Sequence, residues 1–245
     1  MALLSMRHVS LRFGGIVALD DVSFDVEEGQ IAGLIGPNGA GKTTAFNVIT
    51  RLYKVDSGEL DFDGKSLLRA SPYQVARRGI ARTFQNVELF PTMTVLENVL
   101  VGAHSVTRFE LDHRARRLAT ETLDLVGLGS IRNRPATGLP FGTLKRIELA
   151  RALASKPRLL LLDEPASGLN HEEVEELQGL IRRLHHELRL TVLLVEHHMN
   201  LVMNISEYVH VLNFGELIAS GEPDEIQRDP AVIEAYLGGE IDTAA

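Results

Sequence analysis

The sequence predicts an α/β fold: a mostly parallel core sheet, an antiparallel β portion near the N-terminus and an inserted helical segment. Three observations predict it. A glycine-rich loop, Gly36-Pro37-Asn38-Gly39-Ala40-Gly41-Lys42-Thr43-Thr44, sits between an apolar run and a helical pattern. Four consecutive leucines, residues 159–162, run into Asp163 and Glu164, the uninterrupted pattern of a strand buried on both faces. Residues 86–138 carry helical patterns with no strong strand between them.

Taken in order, residues 3–13 and 16–26 are rich in apolar and β-branched types and are separated by Gly14-Gly15, which predicts strands joined by a turn. Residues 30–35 predict a buried strand leading into the glycine-rich loop, and residues 45–49 continue as a helix. Residues 58–64 alternate like a short edge strand closed by a turn, and residues 80–84 predict another strand. Helices are expected at 94–103 and 108–126, and the α/β body then resumes with a helix at 144–154 and the leucine strand at 158–163. A helix at 171–187 places Val174, Leu177, Leu180, Ile181 and Leu184 on one face. A buried strand at 191–195, strands near 208–213 and 216–220, and two short helices complete the body. Residues 1–85 and 139–238 are expected to form one core, 86–138 a helical subdomain and 239–245 a loose tail.

Composition narrows the class. At 245 residues, 44% apolar and 24% charged, the chain has ample material for a globular core. A net charge of −8 argues against a general nucleic-acid-binding surface, which shows as a basic excess. No cysteine is present, so neither a disulfide framework nor thiolate chemistry is expected. No apolar run of the length needed to span a bilayer occurs, and the first residues lack the charged and apolar regions of a secretory signal. A soluble protein is expected, one that reaches a membrane only by docking on a partner.

The loop matches G-x-x-x-x-G-K-[ST], a nucleoside-triphosphate-binding P-loop. Its glycines let the backbone turn N–H groups inward toward phosphate oxygens, with the positive end of the following helix behind them. Lys42 supplies a charge for the β- and γ-phosphates and the Thr43 hydroxyl a ligand for Mg²⁺. Asp163, ending a buried parallel strand beside this loop, suits the remaining Mg²⁺ shell. Glu164, one residue further out, faces the γ-phosphate side, where it would polarise an attacking water as general base.

With these motifs in place, the whole chain resembles the ATP-binding-cassette ATPases. The resemblance implies ATP and Mg²⁺ as ligands and assigns further residues in the expected order. Phe13 resembles the aromatic that stacks on adenine, worth about 1–3 kcal/mol per base; otherwise it is a core residue at a strand end. Gln85, within Arg82-Thr83-Phe84-Gln85-Asn86, resembles the glutamine that joins the Mg²⁺ shell and senses the transporter. His197 resembles the switch histidine that contacts the γ-phosphate, with His198 as a bystander. The signature that crosses to a partner's nucleotide is Leu139-Pro140-Phe141-Gly142-Thr143 here, with Pro140 where the family usually has serine. Gly142 and the helix N-terminus after it still offer amides to phosphate. The D-loop reads Ser167-Gly168-Leu169-Asn170, with Asn170 in place of the usual aspartate but able to cap the next helix. Both departures bear on rate more than on binding.

In this family the working unit is two cassettes related by a two-fold axis, each lending its signature to the other's ATP. Residues 81–99, Pro165-Ala166-Ser167-Gly168-Leu169-Asn170, Val195-Glu196-His197-His198-Met199 and Ile233-Glu234-Ala235-Tyr236-Leu237-Gly238 resemble ATPase subunits of branched-chain amino acid importers. The resemblance implies a second ATPase subunit, identical or related, integral membrane permease subunits, a substrate-binding protein, and a peripheral place on the cytoplasmic face of the membrane. Val87, Leu89, Phe90 and Met93 form a seat for a membrane subunit's coupling helix, or else they fasten the helical insert to the body. Urea or amide uptake, lipid or polysaccharide export, and a non-transport cassette ATPase stay open as alternatives.

Overall fold

The computed structural model describes residues 2–106 and 112–238. Among the described residues the strands form two sheets. The first is antiparallel, in the order β2-β1-β4-β5. Strands β1 (Ala2–Phe13) and β2 (Ile16–Glu27) make a hairpin across Gly14-Gly15, as expected. The strand foreseen as an edge is instead interior: β4 (Ser57–Phe62) pairs with β1 on one side. Its turn, Asp63-Gly64 with φ of 52° and 66°, returns the chain as the two-residue β5 (Lys65–Ser66), which takes the edge.

The second sheet has the order β10-β9-β3-β8-β7-β6. Strands β9 (Tyr208–Asn213), β3 (Ile31–Ile35), β8 (Thr191–Val195), β7 (Leu159–Asp163) and β6 (Ile80–Arg82) run parallel, and β10 (Glu216–Gly221) joins antiparallel to β9. Strand β6 stops at Arg82, short of the expected residue 84, after Thr83 makes a last amide bond to the Leu161 carbonyl at 3.0 Å. The leucine run explains itself here. Leu160 and Leu162 enter the core shared with the helical part, while Leu159 and Leu161 enter the core shared with the antiparallel sheet. Side chains of a strand point alternately to its two faces, so a strand covered on both must be apolar throughout.

Helix α1 (Lys42–Ile49) follows the glycine-rich loop directly. Helix α2 (Pro72–Arg77), capped by Ser71 with Pro72 in its first turn, was not foreseen. In the helical part, α3 (Val95–His104) starts at a Thr94–Glu97 capping box, and α4 spans Asp112–Leu125. Residues 108–111 of the helix expected at 108–126, and the tail expected at 239–245, lie outside the described residues. Helix α5 (Phe141–Leu153) starts three residues before the expected position, because Pro140 stands at its N-cap with extended ψ and the helix can begin at once. Helices α3 and α5 cross closely at Gly102, where a Cβ would lie 1.9 Å from the Arg151 carbonyl oxygen.

Helix α6 (His171–Leu188) buries Leu177, Leu180, Ile181 and Leu184, with Val174 partly buried beside them, the face the heptad-like spacing predicted. Helix α7 (Met199–Ile205) was not foreseen; α8 (Pro223–Ile226) and α9 (Pro230–Gly238) are the two short closing helices. Among the described residues no helix is long and apolar enough to cross a membrane.

Candidate active site

Strand β3 delivers the chain into the glycine-rich loop and α1 carries it away. The loop's shape requires glycine at two positions. Gly36 has φ of 149° and a Cβ there would meet the Leu212 carbonyl oxygen at 2.0 Å; Gly41 has φ of 105° and would meet that of Ala18 at 2.7 Å. No side chain caps α1 at Gly41, so its first amides stay available to an anion. The loop borders a cleft of about 280 Å³ lined by Asn38, Gly39, Lys42, Thr43, Thr44 and Glu164 together with Ile16 and Val17 of β2. The buried Lys42 amine donates to the Gly36 and Pro37 carbonyls at 2.7 and 2.8 Å. Burial holds its pKa below the ordinary lysine value, opposed by the Glu164 and Asp163 carboxylates. Thr43 is exposed at the first turn of α1.

Parallel pairing of β7 with β6 and β8 brings three more loops to the same end of the sheet. Asp163, at the tip of β7, is buried against Arg82, with Nη2 2.6 Å from Oδ2 and side chains only 6% and 4% exposed. The same guanidinium donates to Asn47 Oδ1 of α1 at 2.7 Å and lies over the rings of Phe46 and Phe84. Glu164 follows in the left-handed region, φ 46°, a conformation that costs a non-glycine residue energy and turns its side chain out of the strand's alternation. Gln85 Nε2 donates to Glu164 Oε2 at 2.8 Å, and His197 Nδ1 stands 3.7 Å from the same oxygen. Lys42, Thr43 and Glu164 thus line one cleft, with Gln85 and His197 against Glu164 and the buried Asp163 near Lys42.

The signature residues do not join them. Phe141, Gly142 and Thr143 open α5, and Gly142 and Thr143 line a separate cavity of about 140 Å³ with Glu173 and Glu176. Phe141 is exposed, with Lys145 above its ring, and Gly168 packs so close that a Cβ would fall 2.8 Å from Phe141 Cε1. Asn170 caps α6 by accepting from the Glu173 amide at 3.0 Å, as its position predicted. Phe13 is 45% exposed, which removes the reading of it as a core residue; it pairs with Ile16 across the hairpin and meets Tyr53 edge-on at 5.1 Å.

Several residues that hold the site together escaped the sequence reading. Lys145 Nζ donates to the Gln85 carbonyl at 2.8 Å, Glu148 accepts from the Phe84 amide at 3.1 Å, and Arg151 donates to the Glu88 carbonyl. Three charged residues one turn apart on α5 therefore fasten the segment that carries Gln85. Burial pushes the Glu148 pKa up, opposed by the Phe84 amide, Lys145 and Arg151. Glu196, fully buried, accepts from the Ala166, His197 and His198 amides and from the His198 ring, so His198 is more than a bystander. The missed signal was a charge inside an apolar run: Arg82 after Ile80-Ala81, Glu148 between Ile147 and Leu149, and Glu196 after Val192-Leu193-Leu194-Val195.

The pattern that defines the ABC transporter family matches residues 19–167, and that of the branched-chain amino acid ATP-binding cassette transporter matches residues 216–242. The high-affinity branched-chain amino acid transport ATP-binding protein BraF of Pseudomonas aeruginosa is 42% identical over 249 residues, covering 96% of this chain and 98% of its own. A solved ATP-binding cassette of an ABC transporter in its ADP conformation superposes with a TM-score of 0.87 at 31% identity, over 97% of this chain and 99% of that one. A dimeric ATP-binding cassette in a post-hydrolysis state with ADP and Pi superposes with a TM-score of 0.80 at 28% identity, over 90% and 98%.

Proposed function

The chain belongs to the ABC transporter family, as an importer's ATP-binding and ATP-hydrolysing subunit, and on that premise we propose that it drives uptake of branched-chain amino acids. The observation that carries the substrate reading is the pairing of near-full-length similarity to BraF with the branched-chain pattern at residues 216–242.

In this reading the amides of residues 36–44 and the Lys42 amine hold the triphosphate, and Phe13, with Tyr53 behind it, receives the adenine. Glu164 takes the proton of the attacking water, oriented by Gln85, and His197 contacts the γ-phosphate. The Thr43 hydroxyl, the Gln85 side-chain oxygen Oε1 and the Asp163 carboxylate are hard oxygen donors suited to Mg²⁺, and Asp163 has a second oxygen beyond the one Arg82 holds. Bound there, Mg²⁺ would neutralise charge on the phosphates.

Phe141, Gly142 and Thr143 serve the ATP of a second cassette subunit, identical or related, in a two-fold pair. That Gly142 and Thr143 line a cavity other than the chain's own cleft supports this, as does the dimeric relative. ATP contacts made only in the closed pair bias it toward closure, and phosphate release removes the bias. We place the subunit at the cytoplasmic face of the membrane, docked on permease subunits that receive substrate from a binding protein. Residues 1–85 and 139–238 act as the core of the cassette and 86–138 as its helical part. Phe90 and Met93, both exposed, make the docking seat, while Leu89 packs inward as the alternative reading required.

The test is uptake of radiolabelled leucine, isoleucine and valine after deletion of the gene. We expect loss of uptake, restored by the wild-type gene and not by a Lys42→Ala variant. Unchanged uptake, or loss confined to urea or short amides, would overturn the substrate reading.

A further inference from the structure

Glu196 is a carboxylate with 0% exposure, placed one residue beyond β8 and one before His197. Its Oε1 accepts from the Ala166 amide at 2.7 Å. Its Oε2 accepts from the His197 amide at 3.1 Å, the His198 amide at 3.3 Å and His198 Nδ1 at 3.2 Å. The β7–β8 ladder ends at Asp163 and Val195, with one last bond from the Glu164 amide to the Val195 carbonyl at 2.9 Å. Beyond it the two loops have no ladder between them, yet they carry Glu164 and His197, which meet at 3.7 Å.

We propose that Glu196 is a positioning residue, a two-ended acceptor that ties the loop of His197 to the loop after Glu164 and so holds His197 beside Glu164, facing the γ-phosphate. The inference rests on the roles given above to Glu164 and His197. The chemistry requires a carboxylate. Each end of the side chain meets backbone N–H donors, and an ionised carboxylate offers acceptors at both ends. Glutamine has the same shape but sets an NH₂ donor against N–H donors at one end, so that with its oxygen on the buried Ala166 amide the part-buried His197 and His198 amides lose their acceptor. A hydrophobic residue would orphan the buried Ala166 amide as well.

The experiment is a double-variant cycle of Glu196→Gln and His197→Ala, with kcat and KM from steady-state phosphate release and ATP affinity from fluorescent-nucleotide titration. We expect Glu196→Gln to lower kcat by about 10- to 100-fold, the scale of a misplaced catalytic group, with ATP affinity changed less than about twofold. In the His197→Ala background the same substitution should lower kcat less than about threefold further, since residues acting as a unit are non-additive. Multiplied losses in the double variant, wild-type kcat in Glu196→Gln, or a parallel fall of kcat and nucleotide affinity would each overturn the proposal. Full turnover in His197→Ala alone would overturn the site reading and this inference together; a slow His197→Ala with a multiplicative double variant overturns the positioning role of Glu196 alone. Should Glu196→Gln not fold, Glu196→Asp takes its place in the cycle: it keeps the carboxylate but shortens its reach, and the same outcomes decide.

Discussion

Gln85 donates its side-chain amide to the Glu164 carboxylate across 2.8 Å, joining the segment next to the proposed docking seat to the proposed general base. Gln85 is held in turn by Lys145, whose amine reaches its carbonyl from the helix that starts with the signature. One glutamine thereby touches both the proposed general base and the helix that opens with the signature residues.

Replacing Glu164 by glutamine keeps the shape and removes the proton acceptor. We expect ATP affinity to hold, turnover to fall by about 10²–10⁴-fold, and ATP to trap a closed dimer. Phosphate-release kinetics and size-exclusion chromatography with ATP would show both effects. Turnover at the wild-type rate would remove Glu164 from its role.

The Arg82–Asp163 pair is almost wholly buried. Breaking such a pair strands one charge in the interior, at a cost of about 3–5 kcal/mol. Urea denaturation of Arg82→Met should show a loss of that order, and Arg82→Met with Asp163→Asn should recover part of it. Equal stability of wild type and Arg82→Met would mean the pair is screened by water that the burial does not indicate.

Alanine at Phe90 shortens the exposed ring beside Met93 without touching the core. In proteoliposomes carrying the complete transporter we expect substrate-stimulated ATPase and transport to separate, with basal hydrolysis by the subunit within about twofold of wild type, as for a surface truncation. Intact coupling would assign the seat elsewhere.

His210 links the two sheets: its Nε2 meets the Asp25 carbonyl at 3.0 Å and its Nδ1 the Ser220 hydroxyl at 2.8 Å. Burial lowers its pKa to about 4, with the Asp25 bond and charge opposing. Between the unfolded value near 6.5 and about 4, the unfolded chain binds a proton that the native one does not, so stability falls as pH falls through this window. The loss reaches at most about 3 kcal/mol. Denaturation midpoints of wild type and His210→Asn from pH 7 to pH 4 should diverge, with the variant flatter; parallel curves would count against a neutral buried imidazole.

Much of the architecture was legible because burial writes itself into composition. The run of leucines at 159–162, short and ended by acids, has the composition of a strand covered on both faces, and the spacing of Leu177, Leu180, Ile181 and Leu184 that of one face of a helix. The P-loop was legible for a different reason: backbone turned toward phosphate demands glycine where φ is positive, as at Gly36 and Gly41. Helices α2 and α7 were missed because six or seven residues give too little period to recognise. Phe13 was ambiguous because an aromatic at a strand end has the same letter whether buried or exposed, and only its 45% exposure decided.

The sequence by itself determined the α/β class, the glycine-rich loop and the leucine strand that ends in Asp163, since each is enforced by local backbone geometry or by alternation along one element; the cassette was legible only through resemblance to a known family. Only the tertiary structure decided that Arg82 neutralises Asp163, that Lys145, Glu148 and Arg151 grip the Gln85 segment, and that Glu196 ties the loop after Glu164 to His197. Apart from the bond between the neighbours Glu196 and His197, those contacts join residues 30 to 81 positions apart. A buried charge announces that it needs a partner, but which donor reaches it is fixed by how strands and helices are laid side by side.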